Sequence, residues 1–287
     1  MKKLFVLLVV AFSIHCALFA QATTQVSGVV TDPTGAVVPG ANVELVNVDT
    51  GLKRSATCEA NGTYSFQQVV PGSYRISAGA RGFRTTAIPD VRLLVNNPAT
   101  VNIKLEVGQV TETIAVTAEA VQVNTTDASI GSAISTKPIV QLPLNARNIV
   151  GLLALQPGVV YIDESSDYRN GAVNGGKSDQ ANVTLDGVDV NDQMDRLAFT
   201  SVLRMTPDSV QEFRVVTLNS NADQGRTSGA QVSLVTKGGT NELHGALYEY
   251  HRNTLTSANL FFNNASGVPR QKLIRNNFGA AAGGPIK

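Results

Sequence analysis

The chain has no tryptophan, 6% aromatic residues and only three histidines in 287 positions. Charged residues make up 16% of it and the formal net charge is +1, so it has no field of one sign to recruit nucleic acid or an anionic membrane surface. Of its two cysteines, Cys16 lies in an apolar N-terminal run, which leaves Cys58 alone. A single thiol makes no internal disulfide and no thiolate metal set. The histidines, His15, His244 and His251, are too few and too scattered for a nucleophile–His–acid set, so hydrolase chemistry has no support. The phosphate-cradling patterns G-x-x-x-x-G-K-[ST] and G-x-G-x-x-G are also missing, which leaves nucleotide binding unsupported. Past the N-terminal run, no stretch is apolar and long enough to cross a bilayer as a helix.

What is abundant is glycine, 25 residues, together with Val, Thr, Ser and Asn, a mixture that favours strands, tight turns and polar loops over long helices. The first residues read as an address. Lys2 and Lys3 precede an apolar stretch over 4–14, and Ala20 and Ala22 form an A-x-A-like cleavage site. Residues 1–22 are therefore expected to be a secretory signal peptide, with the mature chain starting near Thr23. Ser13, Ile14 and His15 before Cys16 lack the small residues of a lipoprotein processing site.

Over 24–107 the pattern is of about seven short strands, expected to form an antiparallel sandwich. Val43 and Leu45, then Tyr64 and Phe66, then Tyr74, Ile76 and Ala78, then Val101, Ile103 and Leu105 recur at the strand period of two. Asp32-Pro33-Thr34-Gly35 and Pro39-Gly40 mark turns, and Asn61-Gly62 predicts a tight hairpin. The order G-x-V-x-D-x-x-G-x-x-x-P-G-A-x-V over 28–43, N-G-x-Y-x-F over 61–66 and P-G-x-Y over 71–74 resembles the carboxypeptidase regulatory-like domain. That resemblance implies a transthyretin-like β-sandwich of the kind appended to outer-membrane receptors. It does not imply peptidase activity, since a zinc peptidase needs converging His and carboxylate ligands and no His lies in this segment.

The stretch 142–245 organises the rest. It contains L-P-L-N-A-R-N at 142–148, then A-N-V-T-L-D-G-V-D-V-N-D at 181–192. A glycine-bracketed turn, A-D-Q-G-R-T-S-G at 222–229, leads to a strand ending in T-K-G-G-T-N at 236–241. In this order these motifs resemble the plug of TonB-dependent outer-membrane receptors, most closely the Oar-like subgroup. The resemblance implies a small α/β plug domain over 121–240 that blocks the lumen of a large barrel.

Within the plug-like stretch, Ile149, Leu152 and Leu153 fall on one face of a short helix ended by Pro157-Gly158. Residues 161–180 read as a solvent-facing loop, and Asp186-Gly187 as a turn between two strands. Thr206-Pro207-Asp208 reads as a helix start. Phe213, Val215 and Thr217 alternate as a strand, as do Val232, Leu234 and Thr236. The carboxylates Asp186, Asp189, Asp192 and Asp195, with Asn191, suggest calcium at first sight, but the D-x-[DN]-x-[DN]-G order of a wrapping loop is missing.

Between the two, residues 108–119 contain T-E-T-I-A-V-T-A, which resembles the TonB box of these receptors. The resemblance implies that Thr111, Glu112, Thr113, Ile114, Ala115, Val116, Thr117 and Ala118 pair as an added strand with the periplasmic protein TonB. Ile114 and Val116 are β-branched and two apart, and a short strand with a free edge can add to another protein's sheet. The bland alternative is a last sandwich strand or a linker.

Residues 241–287 resemble the start of a transmembrane β-barrel that breaks off early. Ala246, Tyr248 and Tyr250 are expected to face lipid and Glu249 and His251 the lumen. His244, Glu249 and His251 do not form a metal trio, because His244 falls on the face opposite His251. An open sheet edge in lipid is not viable, so 47 residues cannot by themselves make a pore.

The fold class expected is thus mixed: a transthyretin-like β-sandwich, a small α/β plug, and the first residues of a truncated barrel. The function implied is that of the N-terminal portion of a TonB-dependent receptor at the outer membrane, with no enzyme activity, metal or cofactor and a substrate the residues do not specify. The rival reading is a secreted or periplasmic β-rich ligand-binding or adhesion module without transport.

Overall fold

The structure is a computed structural model, which describes residues 22–108, 113–115, 128–144, 147–161, 171–176, 180–192, 203, 205–222, 224 and 228–285. The chain forms two compact units, Met1–Gly238 and Gly239–Lys287. The signal segment lies outside the described residues except for Ala22.

The first part of the first unit consists of nine strands: β1 Thr24–Thr31, β2 Asn42–Asn47, β3 Lys53–Thr57, β4 Thr63–Val69, β5 Gly72–Gly79, β6 Thr85–Leu93, β7 Ala99–Thr100, β8 Ile103–Lys104 and β9 Thr113–Ala115. One sheet has the order β4-β1-β7, with β8 also on β1, and the other the order β3-β2-β5-β6-β9. The alternating residues close one core: Val26, Val30, Tyr64 and Phe66 from the first sheet meet Val43, Leu45, Ile76 and Val91 from the second. Each of these buried aliphatic side chains contributes about 1.5–3 kcal/mol relative to exposure.

The motif glycines have a steric reason. A Cβ on Gly28 would collide with the carbonyl oxygen of Val101 and touch the Tyr64 ring. The Tyr64 hydroxyl donates to that same carbonyl at 2.6 Å, so Gly28, Tyr64 and Val101 form one close approach. Asp32 holds the first turn through Oδ1, which accepts from the Thr34 hydroxyl at 2.7 Å and the Ala36 amide at 3.0 Å. The Thr34 hydroxyl bond leads the causes that set its carboxyl below the usual range.

Two expectations are corrected here. The sheets are mixed rather than antiparallel: β7 and β8 both run parallel to β1, and β9 runs parallel to β6. Alternation reports which face is buried and is blind to strand direction, and parallel partners are joined by long connections that leave no local signal. Asn61-Gly62 does make a tight turn, with Gly62 at φ 75°, but it joins β3 and β4, which belong to different sheets. Asn61 Oδ1 accepts from the Thr63 amide at 3.0 Å, which closes the turn without any hairpin.

The second part carries β10 Ile130–Ser135, β11 Val159–Tyr161, β12 Gly171–Val173, β13 Asn182–Leu185, β14 Val188–Asp189, β15 Val210–Leu218 and β16 Gln231–Thr236. Five of them form a sheet in the order β10-β15-β16-β13-β14. A six-residue α-helix, Thr136–Gln141, and a 3-10 helix, Ile149–Leu155, supply Ile139, Ile149, Leu152 and Leu153 to one face. That face presents Val183, Phe213, Val215, Val232 and Leu234. Asn148 caps the 3-10 helix through Oδ1, which accepts from the Val150 amide at 3.2 Å. The stretch 161–180 is not loop throughout, since Gly171–Val173 pairs antiparallel with Val159–Tyr161 and Val173 is buried.

The second unit is a hairpin of β17 His244–Asn253 and β18 Ile274–Gly283, antiparallel over ten residue pairs. Each strand is ten residues long, the length a tilted membrane strand requires. Tyr248 and Tyr250 share a face, 5.8 Å apart, and Glu249 and His251 point the other way with Leu247. Exposed apolar groups occur on this second face too, at Leu247 and Phe278. Among the described residues no helix is long and apolar enough to cross a membrane.

Candidate functional site

Of the eight residues expected to bind TonB, the structure describes three. Thr113, Ile114 and Ala115 form β9, paired with Thr85, Thr86 and Ala87 of β6. Thr111, Glu112, Val116, Thr117 and Ala118 lie outside the described residues. β9 ends its sheet, so the described strand has a neighbour on one side. Three residue pairs are few, and an edge strand leaves its outer row of N–H and C=O groups open to another strand.

From the other end of β6 the chain runs into a contact that the sequence did not announce. The amide of Val95 donates to Glu212 Oε1 at 3.0 Å, and Asn96 Nδ2 donates to the Ser233 hydroxyl at 3.1 Å. Glu212 belongs to β15 and is 3% exposed. Burial pushes its carboxyl above the usual range, against the Val95 hydrogen bond and the charges of Arg214 and Arg92. The strand pattern puts Phe213 and Val215 inward, which leaves Glu212 and Arg214 for solvent. Instead both faces of β15 are covered, and Glu212, Arg214, Gln231 and Ser233 are all buried.

The plug-like motifs serve each other. Asp186 and Gly187 have φ of 49° and 88°, the left-handed pair a two-residue hairpin needs between β13 and β14. Asp186 then accepts from Thr236 twice, from its amide at 2.9 Å and its hydroxyl at 2.8 Å. The L-D-G-V turn is thereby fastened to the start of T-K-G-G-T-N. Arg147, at φ 56°, reaches Asp208 at 3.0 Å in a mostly buried ion pair that ties the helical segment to the turn before β15. Both residues lie in motifs read from sequence, but their pairing carries no signal there, since they are sixty-one residues apart.

Asp186 and Asp189 both accept hydrogen bonds that hold this segment in shape. Asp189 Oδ1 accepts from the Asn191 amide at 2.9 Å, while Asn191 Oδ1 accepts from the Val183 amide at 2.8 Å. Asp195 lies outside the described residues. Among the described residues no three His, Cys, Asp or Glu side chains come together as metal ligands. In the second unit His251 Nδ1 sits 2.5 Å from Asn276 Oδ1, and His244 Nδ1 2.9 Å from the Glu242 carbonyl.

Residues 25–106 match the family described as carboxypeptidase regulatory-like domain, and residues 235–287 match outer membrane beta barrel domain. The barrel-domain match, together with a likeness to a TonB-dependent transporter, puts the chain at the outer membrane. Over 285 residues the chain is 25% identical to the TonB-dependent transporter Oar of Myxococcus xanthus. That match takes in 94% of this chain and 26% of the relative, so the chain spans about a quarter of that transporter's length. The resemblance to Oar-like TonB-dependent receptors therefore runs along nearly the whole chain.

Among solved structures, the siderophore receptor PirA from Acinetobacter baumannii matches 49% of this chain and 21% of its own, at 23% identity and a TM-score of 0.38. Hydroxyquinol 1,2-dioxygenase from Pseudomonas putida DLL-E4 matches 31% of this chain and 57% of its own, at 13% identity and a TM-score of 0.25. At these scores neither likeness carries a fold or a reaction to this chain.

Proposed function

We propose that the chain is the N-terminal portion of a TonB-dependent outer-membrane receptor, in which a plug gates energy-coupled uptake. On this reading residues 24–107 are a transthyretin-like sandwich, 108–119 a coupling segment that binds TonB, 121–240 the plug and 241–287 the start of the barrel. The observation that carries the reading is β9: a three-residue strand, at a sheet edge, lying in the chain between the regulatory-like domain and the plug-like sheet. A strand held by so few pairs exchanges readily into a partner's sheet, with main-chain bonds supplying affinity. The Asp186–Thr236 and Arg147–Asp208 contacts support the plug assignment, because they join the plug-like motifs into one folded body.

The test is a pull-down of the chain, held in detergent, on the immobilised C-terminal region of TonB. Ile114→Pro removes the main-chain N–H that an added strand needs and is expected to abolish capture. Capture at the unmodified level by the Pro variant would overturn the assignment of this segment.

A further inference from the structure

The two faces of the β17–β18 hairpin differ in charge. One carries Leu247, Glu249 and His251 opposite Ala280, Phe278 and Asn276, which puts a carboxylate and an imidazole midway along the strands. The other carries Ala246, Tyr248 and Tyr250 opposite Ala281, Gly279 and Asn277, and no charged side chain interrupts that stretch. The Tyr248 ring lies across Gly279, where an added Cβ would meet its hydroxyl. A charged group at the bilayer midplane is costly, so in a membrane strand pair the uncharged face is the one toward lipid. The strands have the right reach for this. Ten residues at about 3.4 Å each, tilted by about 45°, rise about 24 Å, close to the roughly 25 Å apolar band of such barrels.

The same face ends in arginine on both strands. Arg252 and Arg275 stand directly opposite each other, at the level just beyond Tyr250 and Asn277. Like charges in that relation are destabilising unless an anion joins them. Two more cations follow in the connection 254–273. Lys272 adjoins Leu273, whose amide bonds to Thr254 Oγ1 at 2.6 Å and whose carbonyl accepts from the Thr254 amide at 2.8 Å, closing the base of the loop. Arg270 is anchored by Nη1, which donates to the Ser257 carbonyl at 2.6 Å. All four cations are exposed, and the sequence from Tyr250 to Lys287 contains no Asp or Glu. In outer-membrane barrels the periplasmic turns are short and the longer loops extracellular, so the long connection 254–273 sets this end at the outer leaflet. Tyrosine beside arginine at the end of an uncharged face matches the headgroup level, where aromatic rings and cations anchor membrane proteins. We propose that Arg252 and Arg275, with Arg270 and Lys272 on the adjoining loop, hold the phosphate of an acidic lipid headgroup in the outer leaflet. Guanidinium forks match phosphate oxygens in pairs, and Tyr248 and Tyr250 lie against the first part of the acyl chain. The inference rests on the barrel reading of 241–287 and uses nothing of the coupling segment.

The experiment is vesicle flotation at low salt, with the full chain diluted from a neutral detergent. One set of vesicles is phosphatidylcholine alone, the other equal parts phosphatidylcholine and phosphatidylglycerol. The chain is expected to float with both and to bind the acidic set more tightly. Replacing Arg252→Gln together with Arg275→Gln should cut that preference about fivefold for each cation removed, about twenty-five-fold for the pair. Arg75→Gln with Lys104→Gln, which takes the same charge from exposed positions on β5 and β8, is expected to leave the preference unchanged. Inorganic phosphate should compete no better than chloride at equal ionic strength. The inference is overturned by equal binding to the two compositions, by the same loss in both double variants, or by release with inorganic phosphate, which would mark a free-anion site. A chain that floats with neither set would sink the barrel reading of 241–287 as well, whereas one that floats equally with both would sink the headgroup site alone.

Discussion

Glu212 offers the sharpest test of how the first unit is held together. Its carboxylate is 3% exposed and takes the Val95 amide at 3.0 Å, across 117 residues of chain. Replacing it with Leu leaves that amide, on a fully buried residue, without an acceptor. An unpaired buried donor costs about 1–3 kcal/mol, and Arg214 and Arg92 lose a compensating charge as well. Glu212→Gln keeps a carbonyl for the amide and removes the ionisation, so its penalty at pH 7 is expected to be far smaller. The pH dependence has a definite sign. The folded-state pKa is raised, chiefly by burial, so in the pH window between the unfolded and folded values the folded chain holds a proton that the unfolded chain has released. The stability this group contributes is complete below the unfolded value, about 4.3, and is lost as pH rises through the raised folded value. Relative to the parent chain, Glu212→Gln should therefore gain stability between acid and neutral pH. Urea unfolding followed by circular dichroism reads this directly, and suits a chain without tryptophan. A Gln variant as damaged as the Leu variant at pH 7, or a parent-minus-Gln difference that moves the other way with pH, would refute the reasoning.

Two further substitutions probe the sandwich. Gly28→Ala places a methyl group against the Val101 carbonyl and the Tyr64 ring, and is expected to cost about 2–3 kcal/mol in the same unfolding assay. Cys58 is buried and its thiol is pushed up by that burial, so maleimide labelling at pH 7 should be slow in the folded chain and fast in urea. Equal labelling rates in the two conditions would place Cys58 at the surface.

How far the sequence could be read depends on whether the cause of a feature is local. Val43 and Leu45, or Tyr74, Ile76 and Ala78, declare their buried face because period-two alternation is a property of a few neighbouring residues. Asp186-Gly187 declares its turn for the same reason: its φ requirement is met within the dipeptide. Glu212 and Ser233 were opaque because nothing nearby says that residues 95 and 96 will bond to them. The parallel partners of β1 and β6 were opaque on the same grounds, as was the Arg147–Asp208 pair.

The position of β6 decides how a pull on the coupling segment would be resolved under the proposed function. Its first three residues pair with β9, and the chain just past its last residue is bonded to β15 and β16. These two attachments are separated by the length of the strand, on the order of 30 Å at about 3.3 Å per residue. They are also unequal. Among the described residues, β9 is held through three residue pairs at a sheet edge. The junction at Glu212 is buried, so opening it first leaves unpaired groups in a dry interface, at a full desolvation cost for each. Tension applied at residues 113–115 would therefore free β9 before it separated the sandwich from the plug-like sheet. Released in that order, the strand becomes available to a partner while the body behind it stays intact, and load passes onward through residues 116–127 toward β10. A disulfide engineered between β9 and β6 is expected to block the first step alone. If it left TonB capture unchanged, β9 would not be the element that yields.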